Sequence, residues 1–123
     1  MTDIILTLDA LSISNEALKD LDTRLSQKIT EIEELLRKHI STRIALNIGE
    51  CVVAFGKIEG KWHLIVDNTP LLSCSRETRV QMMTAGHIES LIRSAPTQLD
   101  EQIASRKAAI ITADQIMLVL SRS

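Results

Sequence analysis

The chain has 123 residues, a length typical of one domain, and its 45% hydrophobic and 24% charged residues are globular proportions. Only 2% of the residues are aromatic and the formal net charge is −2, which argues against nucleic-acid binding, because such proteins carry basic patches and stacking rings. No stretch approaches the roughly 20 apolar residues that span a membrane, and Asp3 stands where a signal peptide carries positive charge. We therefore expect a soluble, cytoplasmic protein with a single α+β domain over residues 1–123.

The N-terminal third of the chain predicts one long amphipathic helix. Residues 1–12 are ambiguous, because their short apolar run fits either an extra strand or the start of the helix. From Ser14, the predicted N-cap, apolar residues recur at steps of three and four. They are Leu18, Leu21, Leu25, Ile29, Ile32, Leu36 and Ile40. About 25 residues give a helix near 38 Å long, which exceeds the roughly 30 Å diameter of a compact domain of this size. Part of the helix is therefore expected to protrude or to pack on a second chain, whereas Glu31, Glu33 and Glu34 are interpreted as its solvated side.

A three-stranded antiparallel meander is predicted after the helix. Residues 44–48 alternate between apolar and more polar positions, and residues 51–57 and 61–67 form a hairpin around Glu59-Gly60. Glu is a poor residue for a positive φ, so a turn with a bulge at Gly60 is favoured over a two-residue turn. In either register Trp62 lies on the apolar face of its strand, which predicts that it is a core residue.

Two C-terminal helices complete the predicted fold. Ser75 is the expected N-cap of the first helix and Pro96 its end, and Gly86 in its middle implies close packing or a bend. The last helix carries apolar residues at heptad spacing from Leu99 to Leu120. The order of elements predicts an α+β fold with a long N-terminal helix, a three-stranded meander and two C-terminal helices packed on the sheet.

One short stretch has the composition of a ligand or anion site. Cys74 directly precedes a predicted helix start and Arg76 and Arg79 follow it, an environment that favours a thiolate or a bound anion. A phosphatase loop is excluded, because it needs an arginine at C-x5-R and Arg79 stands at C-x4-R. With His63 on the more polar face of its strand, the candidate site comprises His63, Cys74, Ser75, Arg76 and Arg79. No residue is assigned a catalytic role, and a small filler cysteine at a helix start is the simpler interpretation.

The two amphipathic helices are the strongest functional signal in the sequence. The three His and two Cys residues show no metal-binding spacing, so we expect no metal and no cofactor. Our first hypothesis is a non-catalytic protein–protein interaction module, of adaptor, chaperone-like or regulatory type, that forms a homodimer. Its predicted interface consists of Leu25, Ile29, Ile32 and Leu36. The alternative is a small enzyme or ligand-binding domain with its site near His63 and the Ser73–Arg76 helix start, which requires those groups to share one pocket.

Overall fold

The computed structural model describes residues 2–122, and their arrangement confirms the α+β class. The helices are α1 (Thr2–His39), α2 (Arg76–Thr84) and α3 (His87–Ser121). The strands are β1 (Ile44–Ile48), β2 (Cys51–Ile58), β3 (Lys61–Val66) and β4 (Thr69–Pro70), and a 3-10 turn covers Leu71–Ser73. The strands form an antiparallel meander in the order β1-β2-β3-β4, so the sheet has one strand more than the sequence predicts.

The fourth strand exists because of a tight turn that follows β3. Asp67 and Asn68 both have positive φ angles, of 48° and 67°, and these two residue types tolerate that region better than most. The turn reverses the chain and pairs Val66 with Thr69. No strand was predicted in this segment.

The hairpin between β2 and β3 has the two-residue turn that the sequence analysis disfavoured. Glu59 and Gly60 adopt φ angles of 52° and 81°, and this turn geometry matches the twist of the two strands. Trp62 therefore pairs with Lys57, and His63 pairs with Gly56. The strain at Glu59, of order 1–2 kcal/mol, is offset by the regular ladder that the turn allows.

The N-terminal helix begins much earlier than predicted. α1 starts at Thr2 and passes through Ser14, so the ambiguous residues form helix and the predicted N-cap at Ser14 is wrong. The segment before Ser14 contains neither Pro nor Gly, and Asp3 in the first turn stabilises the positive end of the helix dipole.

The boundary between α2 and α3 lies at Gly86 and not at Pro96. Ser75 is the N-cap of α2, as predicted, and its hydroxyl accepts a hydrogen bond from the Thr78 amide. The chain then breaks at Gly86, whose φ of 75° is the left-handed conformation that commonly ends a helix. Pro96 lies inside α3, where its ring nitrogen cannot donate the intrahelical hydrogen bond to the Ile92 carbonyl.

The core lies between one face of the sheet and the layer of helices. α1 packs on β3, α3 packs on β1 and β2, and α2 contacts both long helices. Phe55 and Trp62 stack with their ring centroids 5.2 Å apart, and Trp62 is half-buried against the core, where it was predicted to lie. The most buried members of this core are Ile29, Ile44, Val53, Phe55, Leu64, Leu71, Leu91 and Ile88.

Both long helices extend well beyond this core. With 38 and 35 residues, α1 and α3 are about 57 and 52 Å long. Every described side chain in residues 3–21 of α1 and in residues 103–122 is exposed. We call these segments the N-terminal arm and the C-terminal arm, and the rest of the chain the body.

Candidate functional site

His63 lies in a shallow pocket between α1 and β3. The pocket has a volume of about 360 Å³. Its lining residues are Thr30, Glu33, Glu34, Arg37, Lys61, Trp62, His63 and Leu72. None of the other candidate residues, from Cys74 to Arg79, belongs to this lining. The structure therefore does not bring His63 and the α2 start into one pocket.

The polar side chains at the start of α2 are occupied by structural contacts. Ser75 caps the helix, and Arg76 forms an ion pair with Asp22 of α1 at 3.5 Å. Arg79 donates a hydrogen bond to the Leu72 carbonyl at 3.1 Å. These interactions join α2 to α1 and to the 3-10 turn, and they occupy the donors that an anion site would need.

Cys74 is in the wrong environment for an activated thiol. Burial raises the pKa of its thiol, and the nearby Arg79 only partly opposes that effect. The thiol lies 3.4 Å from the Pro70 carbonyl, to which it donates. Burial also raises the pKa of the Cys51 thiol, with a smaller contribution from Asp67. Both cysteines are therefore protonated at neutral pH, whereas nucleophilic cysteines have depressed pKa values.

Glu33 is the polar residue that the sequence analysis placed wrongly. It is only 7% exposed, and its carboxylate accepts a hydrogen bond of 2.7 Å from the Leu64 amide. Burial raises the pKa of the carboxyl group, while the Leu64 amide and then His63 act in the opposite direction. The signal was present in the sequence, because Glu33 follows Ile29 by four residues and precedes Leu36 by three, so it shares their buried stripe.

His63 faces the Glu33 carboxylate without forming a hydrogen bond to it. Its Nδ1 lies 3.9 Å from Glu33 Oε2. This nitrogen is buried and has no hydrogen-bond partner among the described residues. The pair is the only candidate for acid–base chemistry that we find in this part of the chain, and no nucleophile lines its pocket.

Side chains from the two long helices also bind backbone groups at the sides of the sheet. On the β3 side, Glu33 occupies the Leu64 amide, which the short strand β4 does not reach. On the β1 side, Gln98 of α3 accepts a hydrogen bond from the Ala45 amide at 3.0 Å, and Gln102 donates to the Arg43 carbonyl at 3.4 Å. These contacts anchor α1 and α3 to opposite sides of the sheet.

A second depression runs between α1 and α2. Its volume is about 620 Å³, and the ion pair between Arg76 and Asp22 lies within it. The other lining residues are Asn15, Leu18, Glu77, Val80, Gln81 and Thr84. The groove is open and partly polar, and it leads directly to the base of the N-terminal arm.

The predicted interface residues belong mainly to the body of their own chain. Ile29 and Leu36 are buried in the core, and Leu25 and Ile32 are half-buried against it. Burial in the core occupies Ile29 and Leu36, which leaves little of this stripe for a second subunit.

The exposed apolar surface lies instead on the two arms. All large apolar side chains of the arms are between 51% and 73% exposed. In the N-terminal arm they are Ile4, Ile5, Leu6, Leu8, Leu11, Ile13, Leu18 and Leu21. In the C-terminal arm they include Ile103, Ile110, Ile111, Ile116, Met117, Leu118 and Leu120.

Each arm continues the buried stripe of its helix at heptad spacing. The N-terminal seam, Ile4, Leu8, Leu11, Asn15 and Leu18, extends the positions of Leu25 and Ile29 away from the body. The C-terminal seam consists of Ile103, Arg106, Ile110, Ala113, Met117 and Leu120. Steps of four and three that run this far are typical of helices that pack along another helix.

Three further findings concern metal ligands, membrane spans and similarity to known proteins. Residues 2–122 contain no group of His, Cys, Asp and Glu side chains arranged to hold a metal ion. Among these same residues no helix is both long and apolar enough to cross a membrane. Comparison with protein-family models, with curated proteins and with solved structures found no match.

Proposed function

We propose that this chain is a non-catalytic protein–protein interaction module that self-associates as a homodimer through its two arms. The observation that carries the proposal is the pair of apolar seams, which continue the core-facing stripes of α1 and α3 and whose large apolar side chains are more than half exposed. A stripe at heptad spacing is a helix-packing surface, and in the arms of one chain its partner is missing.

The surface area of the chain supports this proposal. The accessible surface is 9124 Å², whereas a compact protein of 13.7 kDa exposes about 6,600 Å². If each subunit buries this excess of about 2,500 Å², the interface totals about 5,000 Å² over both subunits, which is at the upper end of the range for obligate homodimers. Association through the arms would bring each subunit close to the exposure expected for its mass.

The arrangement of the polar residues gives less support to an enzyme. His63 and Cys74 do not line one pocket, and burial raises the pKa of the Cys74 thiol. The two free thiols are typical of a reducing compartment, so we propose that the module acts in the cytoplasm.

Native mass spectrometry of the purified chain tests the proposal. We expect a dimer mass for the wild-type chain and a folded monomer for the double variant Leu8→Asp/Leu11→Asp, which places charge on the N-terminal seam. The control is Ala10→Asp/Ala17→Asp, which adds the same charge to the opposite face of the same helix and should remain dimeric. A wild-type chain that stays monomeric at high micromolar concentration would refute the proposal.

Ligand binding in the His63 pocket is a second candidate function. It is favoured by the buried Nδ1 of His63, which has no hydrogen-bond partner among the described residues and adjoins the Glu33 carboxylate. A bound ligand would add mass in the same experiment, and the addition should disappear in the His63→Ala variant. If the mass equals that of the polypeptide alone, this candidate has no support.

A further inference from the structure

The N-terminal seam points to the same side of α1 as the core. α1 is one continuous helix, and an α-helix makes five full turns in about 18 residues. Leu11 and Ile29 are separated by that interval, so their side chains leave the helix in the same direction. Ile29 is fully buried in the core between α1 and the sheet. A helix that covers the seam therefore lies on the side of α1 where the body of its own chain begins.

The second helix of the body closes the space beside the seam. The groove of about 620 Å³ between α1 and α2 is lined by Asn15, Leu18 and Asp22 on α1 and by residues of α2, among them Arg76 and Val80. The ion pair between Arg76 and Asp22 joins its two walls. Beyond this groove α1 packs on α2 and β3. A helix that covers the N-terminal seam has to end at the groove.

This limit decides the orientation of a second copy. In each chain the body follows the N-terminal arm at its C-terminal end. If two N-terminal arms ran parallel, residues 22–39 of the second copy would continue past the groove into the volume that α2 and β3 occupy. If the arms run antiparallel, the free end of each arm meets the groove of the other copy, and the two bodies lie at opposite ends. The steric constraint permits only the antiparallel arrangement.

The N-terminal seam can face a copy of itself without bringing like charges together. No charged side chain occurs in the seam, and Ser12 and Ser14, which are small and uncharged, lie beside its middle. The acidic residues of the arm lie away from the seam, and they are Asp3, Asp9, Glu16 and Asp20. The C-terminal seam is less suitable as a partner, because Arg106 interrupts it and a buried guanidinium group without a carboxylate is costly.

The composition of the arm also favours a second copy over a lipid surface. Helices that lie on membranes are rich in Lys and Arg, whereas Lys19 is the one basic residue among residues 3–21. The chain exposes 9124 Å², which is about 2,500 Å² more than a compact protein of its mass. A second copy of the chain supplies a matching seam of the same length.

We propose that the N-terminal arms of two copies pack antiparallel, seam against seam, about a two-fold axis. Such an interface uses the same surface on both subunits. Full overlap of residues 3–21 with their copy places the axis at Ser12 and sets Ile5 of one copy level with Lys19 of the other, so Lys19 meets no like charge. This inference rests on the self-association proposed above and specifies its orientation.

The same arrangement gives the groove between α1 and α2 an occupant. The free end of each arm reaches the groove of the other copy, where Leu18 and Val80 are exposed. Ile4 and Ile5 at this free end are also exposed. Contact between these side chains would bury apolar surface at both ends of the paired arms.

Cysteine cross-linking tests the orientation. Three variants carry one arm cysteine each, at positions that repeat every seven residues and therefore follow one edge of the seam. They are Ile5→Cys, Ser12→Cys and Lys19→Cys, made in a Cys51→Ala/Cys74→Ala background. Circular dichroism and native mass spectrometry confirm that each variant is helical and dimeric before a short bismaleimide is added. If the background does not fold, the native cysteines are kept and the cross-linked peptides are identified by mass spectrometry.

The antiparallel arrangement predicts a distinct pattern of cross-links. Ser12→Cys lies at the axis and should cross-link to its own copy. Ile5→Cys alone and Lys19→Cys alone should not, because each is separated from its copy by 14 residues, or about 21 Å along the helices. An equimolar mixture of these two variants should give a covalent heterodimer. The control Glu16→Cys, on the face away from the seam, should not cross-link to its copy.

The outcomes separate this inference from the proposed function. If Ile5→Cys and Lys19→Cys each cross-link to their own copy, the arms are parallel and the inference is overturned. A stable dimer in which no arm cysteine cross-links, alone or in the mixture, shows that another surface covers the seam. That result overturns the pairing and leaves the homodimer intact. A wild-type chain that is monomeric at all concentrations, including one whose arms bind lipid vesicles instead, overturns both.

Discussion

Residues Ile29 and Leu11 lie on the same helix and on the same stripe, yet they have opposite environments. Ile29 is fully buried, whereas Leu11 is 58% exposed. Both are aliphatic, both follow the same steps of three and four, and no break in α1 separates them. The comparison between body and arm teaches that hydrophobic periodicity identifies the face of a helix that needs cover, but not the element or the molecule that covers it.

The sheet is what distinguishes the two regions. The core residues of α1 are Ile29 and Leu36, and they lie where the helix contacts β3 and where Glu33 accepts a hydrogen bond from the Leu64 amide. The sheet is short, with no strand longer than eight residues, so a helix of 38 residues must extend beyond it. The arms are a consequence of helices that are too long for their sheet.

The largest expected effect comes from placing a charge in the body, at a side chain that is fully buried in the core. Ile29→Asp puts an unpaired carboxylate into the core, which should cost at least about 4 kcal/mol of unfolding free energy. Because whole domains have only about 5–15 kcal/mol, we expect no cooperative unfolding transition in urea. The matched variant Leu11→Asp should keep its helical circular dichroism and its cooperative transition. If Leu11→Asp also unfolds, body and arm do not differ as described.

A smaller effect is expected at the junction that sets the direction of α3. An alanine at position 86 would meet no heavy atom within 4 Å, but the φ of 75° is unfavourable for any residue with a Cβ. Gly86→Ala should therefore lower the unfolding free energy by about 1–2 kcal/mol through backbone strain alone. Urea denaturation measures the difference. The exposed substitution Ser90→Ala in α3 is the control, and equal effects of the two variants would contradict this assignment.

The buried carboxylate in the body should make stability depend on pH. Its pKa is raised by burial above the ordinary value of 4.5, so the folded state binds this proton more tightly than the unfolded state. The resulting stability is fully present below 4.5 and is lost as the pH rises through the folded-state pKa. Glu33→Gln should flatten this part of the profile and raise stability at pH 7 by up to about 1 kcal/mol.

Urea midpoints of wild type and Glu33→Gln between pH 4 and pH 8 provide the measurement. The control is Glu31→Gln, because Glu31 lies on the exposed side of the same helix. A wild-type stability that rises over this interval, in parallel with that of Glu33→Gln, would be inconsistent with the buried carboxylate.

The smallest effect is expected at Cys74. Because burial raises the pKa of its thiol, alkylation by iodoacetamide at pH 7 should be no faster than that of a simple model thiol. The reaction is followed in a Cys51→Ala background, so that only one thiol is counted. Faster labelling would restore Cys74 as a candidate nucleophile.

Local patterns were sufficient to predict the class of the fold and most of its elements. The alternation at residues 44–48 and the turn residues Glu59-Gly60 predicted the first three strands. Ser75 predicted the start of α2. The bulged turn was predicted wrongly. The strain of a positive φ at Glu59 is smaller than the stabilisation that regular pairing of the two strands provides. The fourth strand was missed because two residues are too few to show the apolar–polar alternation that predicts a strand.

The errors at Gly86, Pro96 and Glu33 have a common cause. Gly86 was assigned to a bend or a close contact within one helix, Pro96 to the end of that helix and Glu33 to a solvated face. The structure differs at all three residues: Gly86 has a left-handed backbone between two helices, Pro96 lies inside α3, and Glu33 accepts a hydrogen bond from a strand amide. Such surroundings depend on where other segments of the chain lie. The candidate site failed to assemble for the same reason, since the pocket that contains His63 is lined by no residue from Cys74 to Arg79.

The side chains that hold backbone amides at the two sides of the sheet have a consequence for aggregation. An uncovered strand offers its N–H and C=O groups to any extended chain, and sheets recruit foreign strands and grow into fibres in this way. Here Gln98 occupies the amide of Ala45, and Glu33 occupies that of Leu64. Both side chains come from the helices whose arms expose apolar surface. The same helices thus occupy backbone amides that a strand from another molecule would need for pairing with the sheet.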